Sequence, residues 1–381
     1  MNIPNSFLTN QSFDTRALGF NRQLTPNYTP DPFAHVEKPL GIEVLPDGTA
    51  KLRFYAPAAQ RISAGHEDVM TELEKQPDGM WIGFLPYSEP GFKQLAFYVD
   101  GVKVINPLAP IGWGSGSAIN YVEIPDTNCD YLLMKDVPHG TVSMEYFPSA
   151  VTGETECCYV YTPPKYRQGN DKLPVLYLQH GGGENETCWV HLGKVNMILD
   201  NLLAEGKCKP FIVVMNNVMM QVNHNGVWEE NVYQFGDMLI QDCIPFIEAN
   251  YRVLPGKFNR AIAGLSLGSL LSGQIIMEHY DLFGAAGLFT GYTWPVMKGY
   301  PTKEQPWVAA LDDAETFNRE VPLFFGAIGD QEVSLPLFEA ERTYCAEKGI
   351  HYLQKIYPGT HEWRVWRTAA YDFFQLLFQE A

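Results

Sequence analysis

The spacing of hydrophobic and polar positions changes character near residue 150. Over residues 41–125, short runs alternate apolar with polar side chains, beginning with Thr49-Ala50-Lys51-Leu52-Arg53-Phe54-Tyr55. Met80 to Leu85, Gln94 to Val99 and Val102 to Val104 continue the series, punctuated by Asp78-Gly79, Pro90-Gly91 and Asp100-Gly101. A period of two buries one face of a strand, and Asp-Gly between two such runs signals a hairpin. Repeated short strands without helical periodicity predict a β-sandwich over 41–125. Residues 1–40 are polar and Pro-rich and read as an irregular lead-in. Residues 126–150, with Pro138 and Gly140, read as a linker.

From about 151, short continuous apolar runs alternate with longer amphipathic segments. Strands are predicted at Pro174–Leu178, Phe211–Met215, Arg260–Ala263, Ala285–Phe289 and Leu323–Ile328. Helices are predicted at Lys194–Leu203, Met238–Ala249, Leu267–Tyr280, Glu339–Glu347 and Trp363–Phe378. Fully apolar strands separated by helices mean a parallel sheet covered on both faces. Such a sheet presents its site beyond the C-terminal ends of its strands.

Composition narrows the partners. The 381 residues suit two domains. A formal charge of −17, from 27 basic and 44 acidic residues, argues against phosphate backbones and anionic lipid, so neither nucleic acid nor membrane is an expected partner. No apolar stretch reaches the roughly 18 residues a membrane span needs, and the N-terminus lacks the basic and apolar regions of a leader. The expectation is a cytoplasmic protein. Seven cysteines, odd in number and irregularly spaced, suggest free thiols rather than a disulfide framework or a metal site. The oligomeric state is not fixed by the sequence; a homodimer is one option it leaves open.

Gly264-Leu265-Ser266-Leu267-Gly268 matches G-x-S-x-G between a predicted strand and a predicted helix, the context of a nucleophile elbow. Ser266 is therefore the candidate nucleophile. In this arrangement a carboxylate and then a histidine follow the serine along the chain. Of the three later histidines, His279 lies late in the helix and His351 at the wrong end of a strand. His361 alone falls on a loop at the catalytic edge. Asp330 directly ends the strand Leu323–Ile328 and is the expected acid, with Glu332 as the alternative. His180-Gly181-Gly182-Gly183 follows a buried strand and resembles an oxyanion loop. The expected donors are the N–H groups of Leu267 and Gly182. Trp189 and Trp294 are candidates to stack on a sugar or phenolic ring, and Gly181 is grouped with the substrate contacts.

Residues ~135–381 resemble the esterase D-like branch of the α/β hydrolases, and within it the feruloyl and acetylxylan esterases of carbohydrate esterase family 1. The matching stretches include Val137-Pro138-His139-Gly140, Val160-Tyr161-Thr162-Pro163-Pro164, Gln179-His180-Gly181-Gly182-Gly183-Glu184, the elbow, and His361-Glu362-Trp363. The resemblance implies the α/β-hydrolase fold over 151–381, the triad Ser266, Asp330 and His361, and no cofactor or metal. Ser269 and the bulky Tyr292-Thr293-Trp294 depart from the pattern and leave the acyl preference open. Phe54-Tyr55-Ala56-Pro57, Gly79-Met80-Trp81 and Tyr98-Val99-Asp100-Gly101 resemble family 48 carbohydrate-binding modules. The resulting expectation is an esterase acting on a small-molecule or oligosaccharide ester, first on hydroxycinnamoyl esters of xylan fragments. An acetylxylan-type deacetylase, an enterochelin-type siderophore esterase and a sugar-binding protein with an inert hydrolase domain are the alternatives. Lys194, Arg364 and Arg367 are the few basic residues available for a polyanionic chelate.

Overall fold

The computed structural model describes residues 40–66, 69–87, 89–126, 128–224, 227–291 and 310–379. The expected lead-in and Trp294 lie outside these residues. The chain divides into two units, Met1–Met134 and Lys135–Ala381.

The first unit is built from strands. They are β1 (Ile42–Val44), β2 (Ala50–Tyr55), β3 (Ile62–His66), β4 (Val69–Glu72), β5 (Glu74–Lys75), β6 (Met80–Leu85), β7 (Gly91–Val99), β8 (Val102–Val104), β9 (Ile111–Gly114) and β10 (Ser117–Ile124). One sheet has the order β1-β2-β6-β5 and the other β4-β3-β7-β10-β9, with β8 on β7. The alternation read in Ala50–Tyr55 is real: Ala50, Leu52 and Phe54 are buried while Lys51, Arg53 and Tyr55 are less so. Leu52, Phe54 and Trp81 from one sheet join Ile62, Phe97 and Val122 from the other in a single apolar cluster. Each such side chain contributes roughly 1.5–3 kcal/mol by leaving water.

The second unit opens with β11 (Thr141–Pro148) and β12 (Thr155–Thr162). It continues through β13 (Val175–Gln179), α1 (Cys188–His191), α2 (Val195–Ala204), β14 (Ile212–Asn216) and a ribbon of β15 (Gln221–His224) and β16 (Val227–Glu230). After α3 (Phe235–Met238), a π-helical stretch and α4 (Ile244–Asn250) come β17 (Arg260–Leu265), α5 (Leu267–Glu278) and β18 (Ala285–Phe289). The chain closes with α6 (Ala314–Glu320), β19 (Leu323–Gly329), α7 (Leu335–Lys348), β20 (Tyr352–Tyr357) and α8 (Trp363–Leu376). Eight strands form one sheet in the order β11-β12-β14-β13-β17-β18-β19-β20. From β14 to β20 all neighbours run parallel, and β11 and β12 add an antiparallel edge. Strands β13, β14 and β18 are buried along their whole length, as their unbroken apolar runs require.

The linker expected at 126–150 is corrected. Thr141–Pro148 is the edge strand β11, paired with β12 over all eight residues. Its apolar signal is weak because most of its side chains are at least partly exposed. Pro148 suits a strand end with no further ladder partner. The stretch before it is pinned as well. Buried Asp200 on α2 lies 2.9 Å from His139 Nδ1 and accepts the Gly140 N–H at 2.9 Å and the Tyr161 hydroxyl at 2.7 Å. Among the described residues, no helix is long and apolar enough to cross a membrane.

Candidate active site

Ser266 stands between β17 and α5 with φ +50° and ψ −117°, a conformation costly for a residue bearing a Cβ. The turn survives because its neighbours are glycines. A Cβ on Gly264 would lie 2.4 Å from the Gly268 carbonyl, and one on Gly268 would lie 2.3 Å from the His180 carbonyl. The Ser266 N–H is tied to the Phe289 carbonyl at 2.9 Å, which anchors the elbow to β18. Leu267 is the first residue of α5, so its N–H has no acceptor within the helix.

His361 Nε2 is 2.9 Å from Ser266 Oγ, and His361 Nδ1 is 3.0 Å from Glu332 Oε2. Three residues far apart in sequence thus form one hydrogen-bonded chain. The Glu332 side chain is 4% exposed and the His361 side chain 49%, so a shielded carboxylate backs an imidazole open to solvent. Trp366 presents its ring edge-on to His361 at 5.0 Å and donates its N–H to Thr290 Oγ1 at 3.0 Å.

Asp330, expected as the acid, is corrected by this geometry: the carboxylate at His361 is Glu332. The Asp330 N–H donates to the Tyr357 carbonyl, continuing the β19–β20 ladder, and its Oδ1 accepts the Gly359 N–H at 3.0 Å. The chain turns only afterwards, with the Glu332 N–H donating to the Gly329 carbonyl. Three residues past the strand, the longer glutamate reaches the histidine. Asp330 instead holds the loop on which His361 sits.

The glycine loop after β13 packs against the elbow. His180 is buried, Nδ1 faces the Gly181 carbonyl at 2.8 Å, and Nε2 accepts the Val218 N–H at 3.0 Å. Those partners suit a neutral ring with its proton on Nδ1. Burial pushes its pKa down to about 4. The Gly181 N–H is taken by Glu184 Oε2 at 3.0 Å, and the Gly183 N–H points at Met219 Sδ. Gly182 is exposed, and its N–H has no partner among the described residues. A Cβ on Gly182 would be 4.0 Å from Leu267 Cβ, so the two expected oxyanion donors are neighbours. Gly181 is buried, and a Cβ there would meet Leu265 at 2.7 Å and Ser266 Cβ at 3.2 Å.

Trp189 is corrected too. It is 1% exposed, donates to the Gln179 carbonyl at 2.9 Å, and packs edge-on against Trp363 and Phe289. It supports the site from beneath and offers no face to a substrate. Its helical neighbourhood in sequence gave no sign of which side of the loop it would occupy. Ser269 is buried against Gly291. Arg367 is also buried, donating to the Leu192 carbonyl. Sequence reasoning gave Glu184 no role, although it stands at the end of the matched glycine run. Among the described residues no cluster of side chains is arranged to hold a metal ion.

The esterase family model matches residues 149–372. The chain is 34% identical over 287 residues to an endo-1,4-beta-xylanase/feruloyl esterase of Xylanibacter ruminicola, an alignment covering 72% of this chain and 39% of that one. It thus spans about two fifths of that relative's length. Among solved structures it is similar to a feruloyl esterase module from Clostridium thermocellum complexed with sinapinate. That match has 23% identity and a TM-score of 0.55, over 66% of this chain and 92% of the other. It is also similar to the enterobactin esterase from Shigella flexneri, with 14% identity and a TM-score of 0.60, over 87% and 94%. At these identities the two structures share the fold.

Proposed function

From the premise that this chain belongs to the esterase family and is a serine esterase, we propose that it hydrolyses hydroxycinnamoyl esters by a Ser266–His361–Glu332 relay. The observation that carries the chemistry is the hydrogen-bonded chain of 2.9 and 3.0 Å through the two nitrogens of His361. Nε2 of His361 takes the Ser266 proton as Oγ attacks the ester carbonyl. Glu332 keeps the other ring proton on Nδ1 and stabilises the imidazolium. The N–H groups of Gly182 and Leu267 receive the oxyanion, and the alcohol leaves with the proton from His361. Water then attacks the acyl enzyme by the same steps. The family resemblance implies no cofactor for this chemistry.

The acyl group rests on the likeness to the Xylanibacter ruminicola protein, whose name includes feruloyl esterase. Sugar esters of xylan fragments are the corresponding substrate class. We read the two sheets of the N-terminal unit as a sandwich; the shared apolar cluster and the fold likeness over 87% of the chain support this.

The test compares hydrolysis of methyl ferulate and 4-nitrophenyl acetate by the wild type and Ser266→Ala. Loss of the nucleophile should lower kcat by several powers of ten on both. Cleavage of the acetate alone would sink the hydroxycinnamoyl reading and favour a deacetylase. Wild-type rates in Ser266→Ala would sink the relay.

A further inference from the structure

The acyl-transfer steps leave one side chain of the glycine loop without a task. Glu184 follows Gly183, and its Oε2 accepts the Gly181 N–H at 3.0 Å. The Trp363 side chain and His361 are the further groups that favour its charged form. Trp363 is the first residue of α8, two positions after His361. It is 3% exposed and held edge-on between Trp189 at 5.2 Å and Trp366 at 5.3 Å. Trp366 in turn lies against the His361 ring.

One carboxyl group is therefore held by one segment and influenced by another distant in sequence. The first is the loop whose Gly182 lies beside the first residue of α5. The second is the segment that delivers the histidine. The Cβ position of Gly181 marks how close this is to the reacting centre, since it would lie 3.2 Å from Ser266 Cβ and 3.6 Å from Glu184 Oε2. By occupying the Gly181 N–H, Glu184 also decides which amide of the loop stays uncommitted.

We propose that Glu184 is a positioning residue for acyl transfer, clamping the oxyanion loop through the Gly181 N–H so that Gly182 is held beside Leu267 and the Ser266–His361 pair. This inference rests on the reading of the site given above. Hydrogen bonds to a charged acceptor are roughly twice as strong as neutral ones, so the clamp tightens when the carboxyl ionises. Burial pushes Glu184 up to about 7, while the Gly181 N–H, the Trp363 side chain and His361 pull the other way. The other titratable group in its field is Cys188, which burial keeps as a neutral thiol. The clamp thus passes between its weak and strong forms near neutral pH.

The test measures kcat and KM for 4-nitrophenyl acetate from pH 5 to 9 in the wild type, Glu184→Ala, Glu184→Gln and Ser266→Ala, with thermal unfolding of each. A misplaced oxyanion donor should cost Glu184→Ala about 10- to 100-fold in kcat with KM changed less than about threefold. Glu184→Gln keeps an oxygen for the Gly181 N–H and should recover to within about fivefold of wild type. Its kcat profile near pH 7 should also differ from that of the wild type by the step that Glu184 contributes. Should Glu184→Ala fail to fold, the glutamine variant and its pH profile decide. A folded Glu184→Ala with kcat within twofold of wild type, or a Glu184→Gln profile that superimposes on wild type, overturns the inference while a dead Ser266→Ala leaves the relay standing. Wild-type rates in Ser266→Ala would overturn both.

Discussion

Glu332 Oε2 accepts from His361 Nδ1 at 3.0 Å, while Asp330, two residues earlier, accepts the Gly359 N–H at the same distance. The two carboxylates thus serve one loop in different ways, one at the imidazole and one at the backbone that carries it. Glu332→Gln keeps the shape but can turn an N–H donor toward Nδ1, so that the ring then prefers the wrong tautomer. A loss of about 10³- to 10⁴-fold in kcat is expected. Asp330→Asn should cost about tenfold or less, because the amide oxygen can still accept the Gly359 N–H. Steady-state kinetics on the two variants check the assignment; equal losses would contradict it.

Trp189 should behave as a core residue. Its ring is enclosed by Phe289 and Trp363 and its N–H is satisfied by Gln179. Trp189→Ala is expected to lower stability by about 3–5 kcal/mol, read as a urea midpoint. In Trp189→Phe, KM for methyl ferulate should stay within about threefold of wild type. A large rise in KM with unchanged stability would return Trp189 to the substrate contacts.

Two groups of the glycine loop, the buried His180 and the half-buried Glu184, give stability opposite slopes with pH. His180 is pushed down to about 4 from an ordinary 6.5, so the stability it confers is complete above 6.5 and is lost as pH falls toward 4. Glu184 is pushed up to about 7 from an ordinary 4.5, so its contribution is complete below 4.5 and is lost as pH rises through 7. In urea titrations from pH 4 to 8, His180→Gln should flatten the acid limb. Glu184→Gln should flatten the limb above pH 4.5. Unchanged slopes in both would show that these groups are not buried as described.

The elbow glycines should tolerate no side chain. A Cβ on Gly268 would stand 2.3 Å from the His180 carbonyl, a contact only backbone movement relieves. Gly268→Ala is expected to lose about 1–3 kcal/mol of stability. It should lose activity further, because the shift separates the glycine loop from Leu267. Circular dichroism melts and fluorophosphonate labelling of Ser266 on the same sample separate the two effects.

Much of this was legible in the sequence because the signals were local. The short apolar runs of β13, β14 and β18, alternating with longer amphipathic segments, fit buried strands in a layered fold. Gly264 and Gly268 around Ser266 fit only a sharp turn. His361 emerged by elimination, since chain order and strand direction excluded His279 and His351. The failures share a cause, which is direction in space. Asp330 ends its strand on the correct edge, but its N–H is still engaged with Tyr357, and its side chain follows the loop back to Gly359. Nothing in the order of residues says that the turn completes two positions later. Trp189 has the chemistry of a stacking platform, and only the packing of α8 decides that it faces inward. Strand β11 was hidden because an edge strand with many exposed side chains carries little hydrophobic contrast.

The pairing of β13 with β17 carries one more implication. Gln179 is in register with Gly264, so the glycine loop and the elbow leave the sheet side by side from adjacent rungs. A slip of one rung would carry Gly182 roughly 3.3 Å along the strand and reverse the facing of every side chain. A slipped ladder would therefore leave the oxyanion loop out of reach of the elbow. Turnover thus depends on a ladder that joins two segments lying far apart along the chain.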